Sequence, residues 1–195
     1  MRILINDSPV SIDYLFYFLS QQNVFPKRGS GQPFISKEDA ISYGMSGPAA
    51  RASGVSCDVR KILPYDGYDK LDFKECLRSE GDNYARYLVR MDEMNESVKI
   101  IEQLIDNIPE GDFQAKTKAV LKLPKGEFYT KVETARGEFG VYIISEGGLT
   151  PYRIKFRSPG FSNLSALDHM SRGGKIGDLV AIMGSLDLVI PDIDR

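Results

Sequence analysis

Residues 82–107 read "DNYARYLVRMDEMNESVKIIEQLIDN" and decide the fold. Tyr84, Tyr87, Leu88, Met91, Met94, Val98, Ile101 and Ile105 recur at spacings of three and four. That periodicity predicts an amphipathic helix over about 82–107, closed by Asn107 and Pro109. At 1.5 Å per residue such a helix spans roughly 40 Å, enough to be the main strut of a domain. Its methionines are expected as core filler.

Beyond the strut the period changes from helical to two. "AVLKLP" (119–124), "EFYTKVET" (127–134), "GEFGVYIIS" (137–145) and "PYRIKFRS" (151–158) read as strands separated by Gly and Pro turns. Short connections between consecutive strands predict an antiparallel meander. In the last strand Tyr152, Ile154 and Phe156 share one face, with Arg153, Lys155 and Arg157 on the other. "SNLSALDHM" (162–170) and "IGDLVAIMG" (176–184) then read as two short helices. The fold class is therefore α+β: a long amphipathic helix and short helices packed with a small antiparallel β-meander.

Upstream of the strut, Ser36 followed by Asp39 resembles a capping box and predicts a short helix ending near Gly44. "GMSGPAARASGV" (44–55) is nearly all small residues around Arg51. It holds neither GxxxxGK[ST] nor GxGxxG, so it is no phosphate loop. A closely packed backbone crossing is the first reading, a ligand contact the second. "DVRKILPYDGYDKLDF" (58–73) reads as an ordered loop anchored by Tyr65 and Tyr68. Residues 1–31 form a separate N-terminal segment, with a short helix expected in "SIDYLFYFLSQQ" (11–22) and a turn-rich break at "PKRGSGQP" (26–33). The main domain is taken as 32–195.

A net charge of −2 over 195 residues gives no footprint for nucleic acid. Cys57 and Cys76 form no CxxC and are expected as reduced thiols, not a disulfide scaffold or zinc site. One histidine excludes a histidine-rich metal site within the chain. "YLFYFL" (14–19) is too short to cross a bilayer, and Asp7 and Asp13 break any signal-peptide character, so the chain itself is expected to be soluble. Among residues 150–175, Arg153, Lys155, Arg157, Arg172 and Lys175 face one acid, Asp168. Among residues 176–195, Asp178, Asp187, Asp192 and Asp194 face only Arg195. The two pieces are expected to pair, with the ending "GSLDLVIPDIDR" (184–195) buried, because buried charge must be matched. His169 points away from the Leu164, Leu167 and Met170 stripe and reads as exposed or partner-facing, with no nucleophilic triad around it.

Six stretches in order carry a resemblance: "ISKEDAISYGMSGPAARASGVSCDVRK", "PYDGYDKLDF", "GDNYARYLVRMDEMNESVKIIEQ", "ETARGEFGVYII", "PYRIKFRSPGFSNLSALDHM" and "GDLVAIMGSLDLVIPDIDR". From about Ile35 to Arg195 the chain resembles the C-terminal half of the D-type subunit of proton-pumping NADH–quinone oxidoreductase, respiratory complex I. That family is related to nickel–iron hydrogenase large subunits, so the resemblance implies a hydrogenase-large-subunit-like fold. Cys57 and Cys76 do not supply the two CxxC pairs a nickel–iron centre needs, which argues against a hydrogenase-like metalloenzyme.

The resemblance implies a peripheral subunit on the cytoplasmic side of the bacterial inner membrane, next to the membrane arm. With the iron–sulfur subunit that carries the terminal 4Fe–4S cluster, it would form the quinone cavity and couple electron transfer to proton translocation. Quinone would be the substrate, NAD would bind another subunit, and no metal or covalent cofactor is expected here. The resemblance puts functional weight on Arg136 of the "RGE" turn and on Asp187, Ile193 and Arg195 of the ending as quinone-cavity candidates. Arg51, Arg153 and Arg157 are expected in a supporting polar network, and no catalytic residue is assigned. The competing reading is a purely structural module bracing the iron–sulfur subunit. Two departures qualify the likeness. The family's N-terminal half, which supplies the histidine and tyrosine for the quinone headgroup, is matched only faintly around "NVFPKR", so the chain alone is not expected to reduce quinone. Residues 112–130 are shorter than in many relatives and lack a His-containing helix.

Overall fold

The structure is a computed structural model and describes residues 11, 12, 14, 34–108, 110–112, 114, 116, 120 and 122–194. Most of the "YLFYFL" run and Arg195 lie outside these residues, and so does most of the N-terminal segment. The long helix forms where the periodicity places it, as Asn83–Ile105, with the Asp82 side chain capping the Ala85 amide at 2.7 Å. Among residues 34–82 it follows the short helices α1 (Lys37–Ser42), α2 (Gly47–Arg51) and α3 (Val59–Ile62), so the long helix is α4. Ser36 caps α1 through the Asp39 amide at 3.0 Å. The expected loop at 58–73 instead holds α3 and a 3-10 turn at Tyr68–Lys70. Tyr65 does anchor it, its hydroxyl accepting from the Glu133 amide at 3.0 Å.

Three strands follow: β1 (Gly126–Thr134), β2 (Gly137–Ser145) and β3 (Arg153–Arg157), in the order β1-β2-β3 and antiparallel throughout. Glu133 opposes Glu138 and Thr134 opposes Gly137, which puts Ala135 and Arg136 at the turn. "AVLKLP" is not a strand at its described positions, 120 and 122–124. Its Leu123 carbonyl instead accepts from the Ser145 hydroxyl at 3.2 Å, so it meets the end of β2 through a side chain, not a ladder. Helices α5 (Pro159–Ser165), α6 (Leu167–Ser171), α7 (Ile176–Leu186) and α8 (Ile190–Ile193) complete the domain. The single helix expected at 162–170 is broken at Ala166.

The core gathers around α2. Ala40, Met45, Ala49, Ala50, Ile182 and Leu186 form its main cluster, while Ala52, Ala85 and Val89 join α2 to α4. The small residues of 44–55 serve a backbone crossing. Gly47 has φ +67, and a Cβ there would lie 2.5 Å from the Arg136 carbonyl oxygen and from Gly137 Cα. A Cβ on Gly137 would in turn meet the Ser46 hydroxyl at 2.5 Å. Two chain segments therefore cross with nothing but glycine between them.

Three expectations need correction. The apolar stripe of α4 is not the core-facing side: of its eight residues only Met91 is buried. The buried face carries Ala85, Arg86, Val89 and Ile100, where Ala52 packs on Ala85 and Val89 and where Ser185 takes the Arg86 guanidinium. The basic and acidic pieces do not pair as expected. Arg157 turns to Glu138 and Arg172 to Asp168, Asp187 takes Arg136, and the Asp192 carboxylate takes the Gly160 amide at 2.9 Å. Nor is the ending buried. Asp187 stops α7 in a left-handed conformation, and α8 lies along the surface with Ile190 68 % exposed.

Gly47→Ala meets both a left-handed φ and a backbone clash, so a loss of about 2–4 kcal/mol is expected, or roughly 5–15 °C in Tm for a chain of this size. Gly44→Ala also has a positive φ, +64, but open space around it. It should cost only about 1 kcal/mol, and equal melts for the two would refute the crossing. A second check is acid unfolding. Burial pushes Asp58 up, but its paired hydrogen bonds with Arg60, at 3.0 and 2.7 Å, outweigh that and hold the carboxyl below the usual range. Its stabilisation is complete above the unfolded value near about 4 and is lost as pH falls through the lower folded value. Denaturant titrations below about pH 4 should therefore show a shallower loss of stability in Asp58→Asn than in the parent.

Candidate functional site

The site is built on the crossing. Asn163, on α5 and buried, reaches both strands of it. Its Oδ1 accepts from the Ser46 amide at 3.1 Å, and its Nδ2 donates to the Ser46 carbonyl at 3.4 Å and to the Arg136 carbonyl at 3.3 Å. The Ser46 hydroxyl accepts from the Glu138 amide at 3.2 Å and from Arg157 Nη1 at 3.4 Å. Arg157 also donates to the Glu138 carbonyl at 2.5 Å and the Gly44 carbonyl at 2.9 Å. The backbone of the "RGE" turn is thus fixed from α2, α5 and β3 at once, leaving the Arg136 side chain to be aimed separately.

Asp187 aims it. Arg136 Nε donates to the Asp187 carbonyl at 3.1 Å, and its Nη2 lies 3.4 and 3.3 Å from the two carboxylate oxygens. Side chains of both residues stay partly open to solvent, at 33 % and 43 %. Asp187 sits at φ 54, ψ 54 as the C-cap of α7, a position that non-glycine residues other than Asn and Asp rarely take. Backbone and side chain of one left-handed residue therefore hold one guanidinium.

Behind this pair are two arginines that the sequence reading did not single out. Arg86 is fully buried on α4, donating to the Ser185 hydroxyl at 3.0 Å, the Gly81 carbonyl at 3.0 Å and Asn83 Oδ1 at 2.5 Å. Burial, and next to it the neighbouring charge of Arg90, pulls its pKa down to about 10. Arg90, one helical turn on, donates to the Arg86 carbonyl at 3.0 Å. Burial also lowers Arg90, while Asp187 attracts it and Arg136 repels it. Asp187 therefore bonds Arg136 and also favours the charge on Arg90. Nothing in the local sequence marks Arg86 or Arg90, since a charged residue in an amphipathic helix ordinarily reads as solvated.

The other candidates fall apart into separate places. Arg51, 2 % exposed, is a buried tie: Nε to Glu93 at 2.6 Å and Nη1 to Glu133 at 2.8 Å. Burial opposes its charge, but the two carboxylates more than offset this and raise it above its ordinary value. Glu133 is used twice, its second oxygen accepting from the Val59 amide at 3.2 Å. Arg153 is exposed on β3, outside either network. Ile193 does not join Arg136. It lines a cleft of about 730 Å³ between the sheet and α5, with Tyr129, Tyr142, Phe156 and Phe161. His169 is half-exposed against α1, 3.6 Å from an Asp39 oxygen and tilted against Tyr43 at 5.7 Å. Cys57 and Cys76 are free, and burial with nearby carboxylates raises both, Cys76 to about 11, which does not suit a thiolate nucleophile.

Asp187→Gly removes the carboxylate but suits the left-handed cap, so Tm should stay within a few degrees, because a half-exposed pair contributes about 0–1 kcal/mol. Asn163→Ala leaves buried backbone groups without a partner and should cost about 2–3 kcal/mol. A denaturation series that reversed this order would show that Asp187, not Asn163, holds the turn.

Known proteins point the same way. The family described as "Respiratory-chain NADH dehydrogenase, 49 Kd subunit" matches residues 1–122 and 117–195. The chain is 57 % identical over 169 residues to the C/D-type NADH-quinone oxidoreductase subunit of Bacteroides fragilis, covering 87 % of this chain and 32 % of that one. It is 51 % identical over 162 residues to the D-type NADH-quinone oxidoreductase subunit of Desulfotalea psychrophila, covering 83 % and 44 %. With the D-type NADH-quinone oxidoreductase subunit numbered 2 in Solibacter usitatus it shares 45 % over 184 residues, covering 94 % and 50 %. The chain thus spans between a third and a half of the length of these relatives. No helix among the described residues is long and apolar enough to cross a membrane. By its α+β fold and by sequence along its whole length, this chain belongs to the family of the 49 Kd subunit of the respiratory-chain NADH dehydrogenase.

Proposed function

We propose that this chain is a piece of the peripheral-arm D-type subunit of an NADH–quinone oxidoreductase and contributes one wall of its quinone-reduction cavity. The observation that carries the reading is the Arg136–Asp187 pair. A guanidinium stands partly open at a rigid turn, aimed by the carboxylate and carbonyl of Asp187. A quinone accepting electrons gains negative charge, and a preoriented cation stabilises that charge without reorganising. Asp187 keeps the geometry fixed, as carboxylates do for arginine forks. Ile193, at the edge of the aromatic cleft, offers the apolar contact that an isoprenoid or ring face needs. The resemblance that puts weight on Asp187 and Ile193 makes Arg195 a further candidate.

Electrons would come from the 4Fe–4S cluster of the neighbouring iron–sulfur subunit, and NAD would bind elsewhere in the complex. The two thiols of this chain do not supply the CxxC pairs that a nickel–iron centre needs. The assembly would sit peripherally on the cytoplasmic face of the membrane, against the membrane arm, and couple quinone reduction to proton translocation. A second reading, that this region only braces the iron–sulfur subunit, is favoured by one fact: the Arg136 carbonyl is itself a structural anchor for Asn163.

The two readings separate on one variant. Arg136→Ala keeps the carbonyl and removes the guanidinium. In fully assembled complex it should lower quinone reduction about 100-fold while electron transfer from NADH to an artificial acceptor persists. Unchanged quinone reduction in intact complex would leave the bracing reading alone.

A further inference from the structure

Two side chains of α4 reach α7 just before Asp187. Arg86, fully buried, donates from Nε to the Ser185 hydroxyl at 3.0 Å. Its Nη2 donates to Asn83 Oδ1 at 2.5 Å, and the Ser185 hydroxyl donates to that same oxygen at 2.8 Å. Arg86, Asn83 and Ser185 thus close a ring of hydrogen bonds between the two helices. Nη1 holds the other end of the guanidinium on the Gly81 carbonyl at 3.0 Å. Ser185 stands two residues before Asp187, so about 3 Å of helix axis separates the ring from the residue that bonds Arg136.

Packing alone does not call for such a ring. A buried guanidinium loses its water, and burial pulls Arg86 down to about 10. An apolar side chain of similar volume would join α4 to α7 without that penalty. What it would not supply is direction. Hydrophobic contact is non-directional, whereas hydrogen bonds weaken steeply when bent or stretched. Ile182 and Leu186 therefore set chiefly how deep α7 sits in the core, and the ring sets its rotation and its position along its own axis. Arg136 meets the Asp187 carbonyl at 3.1 Å and the carboxylate at 3.3 and 3.4 Å, close to the limit of hydrogen-bond reach. A slip of α7 by about half an ångström would break those contacts.

We infer that Arg86 and Ser185 are positioning residues for Arg136: their hydrogen bond fixes α7 so that the Asp187 cap presents its carbonyl and carboxylate to the guanidinium. Neither residue touches the reacting molecule in this scheme; both act through Asp187. The functional consequence rests on the quinone reading above, while the positioning itself is read out on Arg136 without quinone.

The test uses the full chain labelled with nitrogen-15, in which the Arg136 Nε–H signal is identified by its loss in Arg136→Ala. Ser185→Ala removes the hydroxyl at a partly buried position and should speed solvent exchange of that Nε–H about tenfold or more. Ser185→Thr keeps a hydroxyl there and should restore the parent rate. The Nε–H of Arg51, bonded to Glu93 at 2.6 Å, reports general stability and should hold its rate in both variants. Unchanged exchange at Arg136 in Ser185→Ala overturns the inference. So does an equal acceleration at Arg51, which would mean general loosening, and so does a threonine variant as fast as the alanine one. In the assembled complex, Ser185→Ala added to Arg136→Ala should reduce quinone no more slowly than Arg136→Ala alone, because one acts through the other. A further loss of about tenfold in the double variant would place the action of Ser185 elsewhere and overturn the inference. If Arg136→Ala itself left quinone reduction unchanged, the quinone reading would fall and the exchange rates would still decide the positioning.

Discussion

Everything near the site depends on the contact between Ser46–Gly47 and Arg136–Gly137. No side chain separates the two backbones there, so the hairpin turn can take only one position relative to α2. Asn163 then locks that position with hydrogen bonds to both segments. Because the turn is fixed through backbone and through Asn163, the Arg136 side chain is released from structural duty and can be directed by Asp187 alone. A less tightly crossed turn would need the guanidinium for its own stability.

The arginines of this region differ in what holds them. Arg51 is closed off by Glu93 and Glu133, which ties α2, α4 and β1 together. Arg86 is buried as completely but donates to neutral groups on α4 and α7, and burial lowers it. Arg136 keeps a third of its side chain open and is held by Asp187. A buried charge paired with carboxylates acts as a fixed tie, whereas a partly open guanidinium can still meet a ligand.

Much of this was legible in the sequence, and the failures share a cause. The α4 helix could be placed within two residues, because eight apolar positions at fixed spacing admit few alternatives. The hairpin was equally plain from alternation on both sides of Arg136–Gly137. The small residues at 44–55 announced a crossing, although not what crosses there. What periodicity cannot give is the identity of the covering surface. The α4 stripe is genuinely amphipathic, yet within this chain the opposite, mixed face is the buried one. Arg86 and Arg90 escaped notice for the complementary reason: a buried arginine is made possible by distant groups such as Ser185 and Asp187. Charge summed over residues 150–195 likewise predicted a pairing that the geometry does not make: Asp187 takes Arg136 from outside this stretch, and Asp192 takes a backbone amide instead of a cation.

Asp187 is at once the stop signal of α7 and the counter-ion of Arg136, and this makes the register of that helix chemically significant. Deleting one residue from α7 would turn its end by 100° and draw it back by 1.5 Å. The carboxylate would then face away from the hairpin, even if the apolar side of α7 repacked without loss. Insertions and deletions in this helix should therefore be selected against more strongly than substitutions on its open face. The length of α7 works as a ruler that sets where the negative charge falls.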